Sequence, residues 1–233
     1  MPISIFEKLI NFLIPPRCVL CGDEIVLAQT LCPKCFSNIT FISEPACKLC
    51  ASELPYEKYA CTNCSKLTEI FYDHIKSVLK YDDFSKQLIL KFKHGDKTQL
   101  SKFFSNIMSA KIQYFDHTFD YIIPVPIHWK RYIKRKYNQS HLIASMLSKK
   151  HNIPISVNNL YRIKNTKMQH GNIESRENNI RNAFKIQHNI FTNKNILIID
   201  DVITTGSTIN EIAKTLKQSG NAKYVAALTV AKV

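Results

Sequence analysis

The stretch Ile198-Ile199-Asp200-Asp201-Val202-Ile203-Thr204-Thr205-Gly206-Ser207-Thr208 decides the fold. An apolar run meets two adjacent carboxylates, and a turn rich in hydroxyl groups around one glycine follows. The run NILIID (195–200) reads as a buried strand. Behind the turn, Ile209, Ile212, Ala213 and Leu216 form one apolar stripe, which predicts a helix over Ser207–Gln218. This order places the carboxylates at the C-terminal edge of a strand, where open α/β sheets bind ligands. Backbone N–H groups at the helix start, with the hydroxyls of Thr204, Thr205, Ser207 and Thr208, suit a phosphomonoester, and the helix dipole favours its charge. Gly206 lets the backbone come close. Two carboxylates repel a phosphate, so Asp200 and Asp201 are expected to hold a sugar diol or to sit near a cation. The alternative is an ordinary strand, turn and capped helix that uses Asp and Thr as turn residues.

Outward from this segment the same alternation continues. HIKSVLKY (74–81), FDYIIPVPI (119–127) and KYVAALTVA (223–231) read as strands, while 84–112, broken near Gly95, and 139–150 read as helices. A short apolar piece (153–157) and a polar stretch (165–182) lie between. Strands alternating with helices predict a parallel, doubly wound α/β sheet. The 233 residues, 45% of them hydrophobic, suffice for one such domain and a small appendage, so disorder is not the default reading.

The appendage holds every cysteine: Cys18-x2-Cys21, Cys32-x2-Cys35, Cys47-x2-Cys50 and Cys61-x2-Cys64. A CxxC turn presents two thiolates at the separation a tetrahedral ion needs, and two turns complete a site. Eight ligands imply two structural zinc ions with no open coordination position. Disulfides would need export and a redox CxxC would not recur four times, so zinc is the expectation. The intervals between pairs are nearly equal, and sequential and interleaved sharing fit alike. The expected division is an N-terminal helix and double zinc ribbon over 1–68 and the α/β domain over 69–233.

Residues 1–14, MPISIFEKLINFLI, carry Ile3, Phe6, Ile10 and Leu13 at helical spacing. Glu7, the lack of a small-residue cleavage site and the Pro15-Pro16 stop argue against an export signal. The segment reads as a short amphipathic helix, docked on its own protein or in peripheral contact with the inner membrane. No run is apolar and long enough to span a bilayer, and a cytoplasmic location is expected. The formal charge is +14, but residues 1–70 carry 6 Lys/Arg against 7 Asp/Glu and residues 71–233 carry 26 against 11. Attraction for polyanions therefore belongs to the larger part.

Its densest run is Lys130, Arg131, Lys134, Arg135 and Lys136, directly after the strand ending IPVPI. A solvated face is the usual reading of such a run. Its place after a strand of the sheet favours anion binding.

At this point a resemblance is legible. Asp200–Thr208 resembles the motif of type I phosphoribosyltransferases that binds phosphoribosyl pyrophosphate (PRPP), in which the acids hold the ribose hydroxyls and the loop holds the 5-phosphate. With the cysteine module, the chain resembles the ComF family, phosphoribosyltransferase-like proteins linked to DNA uptake in competent bacteria. Arg135-Lys136-Tyr137-Asn138-Gln139 is similar to that family's Arg-Gly-Phe-Asn-Gln element, with Lys136 where the family has glycine. If that position needs a left-handed backbone, the loop must differ locally. Lys91–Asp96 resembles the family's Lys-rich turn; Arg162, Thr166 and Gln169, then Arg176, Asn179, Ala183 and Phe184, resemble two further elements.

The resemblance implies a type I phosphoribosyltransferase-like fold, PRPP with Mg²⁺ at Asp200 to Thr208, and Asp200 and Asp201 as the catalytic pair if there is catalysis. Arg131, Lys134, Arg135, Asn138, Gln139, Arg162 and Arg176 are the expected pyrophosphate-binding residues. It further implies a competence role in the uptake or handling of transforming single-stranded DNA, with Trp129, Tyr132, Tyr137 and Tyr161 as candidates to stack on bases. No G-x-x-x-x-G-K-[ST] segment is present, so any motor of the pathway is a separate ATPase. Two alternatives stay open. One is a transferase acting on a nucleobase or amine; the other is a zinc-ribbon docking module with PRPP as regulatory ligand. The polar 162–182 region is expected to include a mobile loop that closes over PRPP, or to be a plain connector.

Overall fold

A computed structural model describes residues 15–25, 31–57, 61, 62, 64, 69–94, 97–164 and 180–233, with only the backbone of Lys134. Residues 1–14, and with them the amphipathic-helix expectation, lie outside the described residues. So do Thr166, Gln169, Arg176 and Asn179.

A four-stranded, all-parallel sheet forms the centre, in the order β1 (His74–Lys80), β6 (Tyr224–Lys232), β5 (Asn195–Ile203), β2 (Tyr121–Pro124). In β5 and β6 the residues of both faces are buried, which is why these strands read as continuous apolar runs and not as alternations. On one face Leu197, Ile199, Ala226 and Leu228 meet α2 (Asp83–His94), α3 (Leu100–Ile112) and α5 (Gln139–His151). On the other, Ile196, Ile198, Val225 and Ala227 meet α6 (Ser207–Gln218). The stripe Ile209, Ile212, Ala213 and Leu216 is almost fully buried. Each large side chain of that stripe contributes about 1.5–3 kcal/mol before the cost of ordering it. The parallel, doubly wound α/β expectation holds.

Three differences from the sequence reading have physical reasons. The strand expected over 119–127 is shorter, because Val125 N–H still bonds to Ile199 O at 2.9 Å but Pro126 has no N–H to continue the ladder. Of the cations after it, Lys130, Arg131, Lys134 and Arg135 lie on a short helix, α4 (Trp129–Arg135), with Lys136 at its end. His128 Nδ1 accepts from Lys130 N–H at its start, and no breaker interrupts it. An antiparallel ribbon of β3 (Leu160–Arg162) and β4 (Phe184–Ile186) is too short to have left a periodic signal.

The cysteine-bearing region is built into the same core. Cys18, Val19, Ile25, Leu31, Cys32 and Cys35 pack in the layer of α2 and α3, whereas Ala51 packs in the layer of α6. Between them the chain runs beside β1, with Ile42 N–H bonded to Val78 O and Lys80 N–H to Thr40 O, and so covers a sheet edge. Among the described residues, no helix is long and apolar enough to cross a membrane.

Candidate functional site

The first two cysteine pairs form one cluster and the last two another. Cys18, Cys21, Cys32 and Cys35 form one group, Cys47, Cys50, Cys61 and Cys64 the other, and within each the four Sγ atoms lie within 4.8 Å of one another. Sequential sharing is therefore the arrangement. A short helix, α1 (Pro33–Phe36), is capped by the ligand Cys32 and carries the ligand Cys35. The Sγ separations of 3.6 Å (Cys21 to Cys32, Cys50 to Cys61) and 3.7 Å (Cys47 to Cys64) are far beyond a disulfide. They match the edge of about 3.8 Å that Zn–S bonds of about 2.3 Å give a tetrahedron. Burial and neighbouring thiols push Cys35 and Cys64 well up, so four thiolates in one place call for a divalent cation. The donor set fits zinc, and both clusters are closed four-cysteine structural sites.

The Asp200 to Thr208 segment closes the C-terminal end of β5. The strand does not stop at the acids: β5 runs through both to Ile203, pairing Asp200 with Thr229 and Ile203 with Lys232 on β6. Alternation along a strand sends neighbouring side chains apart. Asp201 meets Lys93 at the end of α2, Nζ to Oδ1 3.1 Å, with both side chains largely buried. Asp200 Oδ1 accepts from Ser140 Oγ at 3.0 Å and from Asp201 N–H at 2.9 Å. Burial, then the charge of Asp201, raises the Asp200 carboxyl to about 7, against the pull of Lys93 and these hydrogen bonds.

The turn that follows has Gly206 in the left-handed region at φ 80°, immediately before α6. Thr205 and Ser207 pair their hydroxyls at 2.7 Å. The first turn of α6 contains no acid, so its N–H groups present an electropositive end.

The charge of Arg162 acts on Asp200 from β3. Burial and then Arg131 hold Arg162 down to about 10, with Asp200 opposing, and burial followed by Arg135 lowers Arg131. Arg131 on α4 thus feels the charges of both Arg135, on the same helix, and Arg162, on β3. The side chain of Lys134 and the whole of Arg176 lie outside the described residues.

Asn138 and Gln139 are used differently. Asn138 Oδ1 caps α5 through Ser140 N–H and His141 N–H, and its amide group donates to Val125 O. Gln139, 1% exposed, accepts from Arg135 and donates to Lys93 O at 3.4 Å. Both hold the backbone around the site. Lys136 overturns the expectation of a different loop: it takes the left-handed conformation itself, φ 65°, and its N–H bonds to Tyr132 O to end α4. Tyr137 is not a free stacking surface, since its ring packs on Phe92 and its hydroxyl donates to Phe92 O.

Sequence reasoning missed Ser140, which only its place behind the Asn138 cap could have suggested. Lys93 lay inside the Lys-rich turn already singled out, whose other lysine, Lys91, donates to Val19 O and Leu20 O of the first zinc knuckle.

The double zinc ribbon domain family matches residues 9–65. Competence protein F of Haemophilus influenzae is 33% identical over 213 residues, covering 88% of this chain and 92% of that protein. The chain belongs to the Competence protein F family. Competence protein ComFC of Bacillus subtilis is 29% identical over 157 residues, 66% of this chain and 62% of the relative. DNA utilization protein YhgH of Escherichia coli K12 is 29% identical over 141 residues, 58% of this chain and 62% of the relative. Among solved structures, glutamine PRPP amidotransferase from B. subtilis aligns at 16% identity and TM-score 0.41, over 60% of this chain and 30% of that one. Adenine phosphoribosyltransferase from Saccharomyces cerevisiae aligns at 15% and 0.35, over 58% and 68%. In this member of the Competence protein F family, the zinc ribbon and the acidic turn share one folded core.

Proposed function

We propose that this chain binds PRPP with Mg²⁺ at the Asp200 to Thr208 turn and serves the uptake or cytoplasmic handling of transforming single-stranded DNA. The observation that carries the reading is a carboxylate pair beside one glycine turn, Asp201 buried and Asp200 half-buried, with Lys93 paired to Asp201 and the charge of Arg162 acting on Asp200. A ligand that is a diol at one end and a polyanion at the other matches such a split site. Asp200 and Asp201 hold the ribose hydroxyls, and the backbone from Val202 to Thr208 wraps the 5-phosphate. The guanidiniums of Arg131, Arg135 and Arg162, with Lys134 and Arg176, take the pyrophosphate.

Mg²⁺ fits the same donors. Asp200, raised to about 7 beside a second carboxylate, is a group that a hard cation with oxygen preference would relieve. Such a cation would supply charge neutralisation to the pyrophosphate. The chain's own part is to orient the sugar and to hold the anion.

The DNA role draws on the printed names of the relatives, two called competence proteins and one a DNA utilization protein. Exposed Trp129 and Tyr132 on cationic α4 supply stacking and charge together, with Tyr161 exposed on β3. A separate ATPase drives transport, and thiolate zinc sites suit a reducing, cytoplasmic setting. Transfer of phosphoribose to an acceptor is the second reading, favoured by one observation: a carboxyl near 7 exchanges its proton at neutral pH.

The test has two arms: Mg–PRPP titration of the purified full chain, and transformation frequency of a competent host. Asp200→Asn with Asp201→Asn is expected to abolish PRPP binding and to depress transformation as deletion does. A wild-type chain that fails to bind PRPP, or a double variant that transforms normally, overturns the reading. Pyrophosphate release that requires an added base or amine would establish the second.

A further inference from the structure

The second zinc knuckle reaches the phosphate turn through Tyr72, and Lys232 holds the same turn at Thr204. Tyr72, 5% exposed, lies against Gly206: a Cβ built there would stand 3.5 Å from its hydroxyl. That hydroxyl donates at 2.9 Å to the carbonyl of Leu49, inside the Cys47-x2-Cys50 knuckle. Lys232 at the end of β6 donates to Thr204 O at 3.1 Å; burial lowers its ammonium group, and the charges of Cys50, Cys64 and Cys61 oppose that. Ala51, the residue after the knuckle, is 1% exposed and packs in the same core layer as Tyr72, Ile203 and Ile209.

We propose that the zinc-bound second knuckle sets the backbone of the Thr204–Gly206 turn, with Tyr72 and Lys232 as the positioning residues that connect them. The proposal rests on the reading of that turn as the phosphate cradle, and it gives the second zinc a role beyond holding its own loop together. A four-thiolate zinc carries a net charge of about −2. Such a site holds the Lys232 ammonium near it, and Lys232 in turn fixes the Thr204 carbonyl. Tyr72 stands against Gly206, so that Leu49, and hence the knuckle, determines where Gly206 sits. Loss of that zinc would leave β5 and α6 folded around a turn whose N–H groups no longer converge.

The experiment uses the full zinc-loaded chain and follows amide exchange at Asn210 and Val233, whose N–H groups bond to Gly206 O and Ile203 O. Tyr72→Phe and Lys232→Met each remove one contact and leave all eight cysteines. Both are expected to keep two zinc ions per chain and to speed exchange at these two amides at least tenfold, with the Ile198 amide in mid-strand unchanged. Mg–PRPP affinity should fall at least threefold in each. Cys61→Ser, which removes a ligand of the second site alone, should reproduce the exchange effect with one zinc retained. Unchanged exchange at Asn210 and Val233 in both conservative variants overturns the proposal. A wild-type chain that does not bind PRPP would defeat the reading of the ligand, while the exchange result still decides the coupling.

Discussion

Lys93 Nζ stands 3.1 Å from Asp201 Oδ1, so the last turn of α2 is tied to the acidic end of β5. Lys91, two residues earlier, donates to the first zinc knuckle. One helical turn thus links the first metal site to one wall of the acidic pair. The Lys93 charge also acts on Asp200 and lowers its carboxyl against burial and Asp201. Lys93→Met is expected to raise the Asp200 titration above its present value of about 7. Carboxyl-carbon NMR titration of the variant reads this directly, and an unmoved or lowered value would contradict it.

Asp200 also makes stability depend on pH. Its folded-state carboxyl, near 7, lies above the unfolded value of about 3.9, so between these the native state binds the extra proton. The stability this proton confers is fully present below about pH 4 and is lost as pH rises through 7. Asp200→Asn removes the penalty of the charged form. It is expected to stabilise the chain at pH 8 by about 1–3 kcal/mol, with the gain vanishing near pH 4. Urea denaturation at the two pH values checks the sign.

The course of β5 and α6 was legible because apolar runs and a 3.6-residue stripe report burial directly. Ser207 and Gln218 bound α6 as expected. Asp200 and Asp201 were read as the end of the strand, yet backbone pairing with β6 continues to Ile203, since charge on a side chain does not interrupt a ladder. Lys136 shows a different limit. Its left-handed φ is fixed by the end of α4 and not by its own side chain. Zinc sharing was not legible, because near-equal intervals carry no pairing information. Tyr72 lies 23 residues from the carbonyl it holds and Lys232 lies 28 from its own, separations that no local pattern encodes.

Lys136 supplies a stability prediction. A non-glycine residue in the left-handed region costs roughly 1 kcal/mol, which glycine avoids at the expense of a floppier unfolded chain. Lys136→Gly is expected to change stability by less than about 1 kcal/mol, in the stabilising direction. Gly206→Ala has room for its methyl group but not the backbone, with φ at 80°. It should destabilise by about 1–2 kcal/mol and weaken phosphate binding. Denaturant midpoints of the two variants should therefore move in opposite directions.

The zinc assignment predicts stoichiometry. Cys21 and Cys32 share a site, whereas Cys50 belongs to the other. A Cys21→Ser, Cys32→Ser double variant should retain one zinc per chain, and a Cys21→Ser, Cys50→Ser variant should bind neither tightly. Metal analysis after gel filtration distinguishes this from interleaved sharing, in which Cys21 with Cys32 would cost both ions.

Trp129 is the chain's single tryptophan and is 61% exposed, with Lys130 Nζ over its ring at 5.4 Å. Tyr132 and Ile133 are exposed on the same helix at 53% and 69%, and α4 carries no acid to offset its lysines and arginines. Stacking on a base would bury the indole, at a gain of about 1–3 kcal/mol per base. Oligothymidylate is therefore expected to quench and shift Trp129 emission, with an affinity that falls steeply, by counterion release, as salt rises from about 50 to about 200 mM. Trp129→Ala should weaken binding roughly tenfold at fixed salt while leaving the salt slope unchanged, because it removes stacking and no charge. Arg135→Ala should lower the slope by about 1 if that guanidinium contacts a phosphate. Emission that is insensitive to the oligonucleotide while binding persists would place the DNA elsewhere on the molecule and remove α4 from the interface.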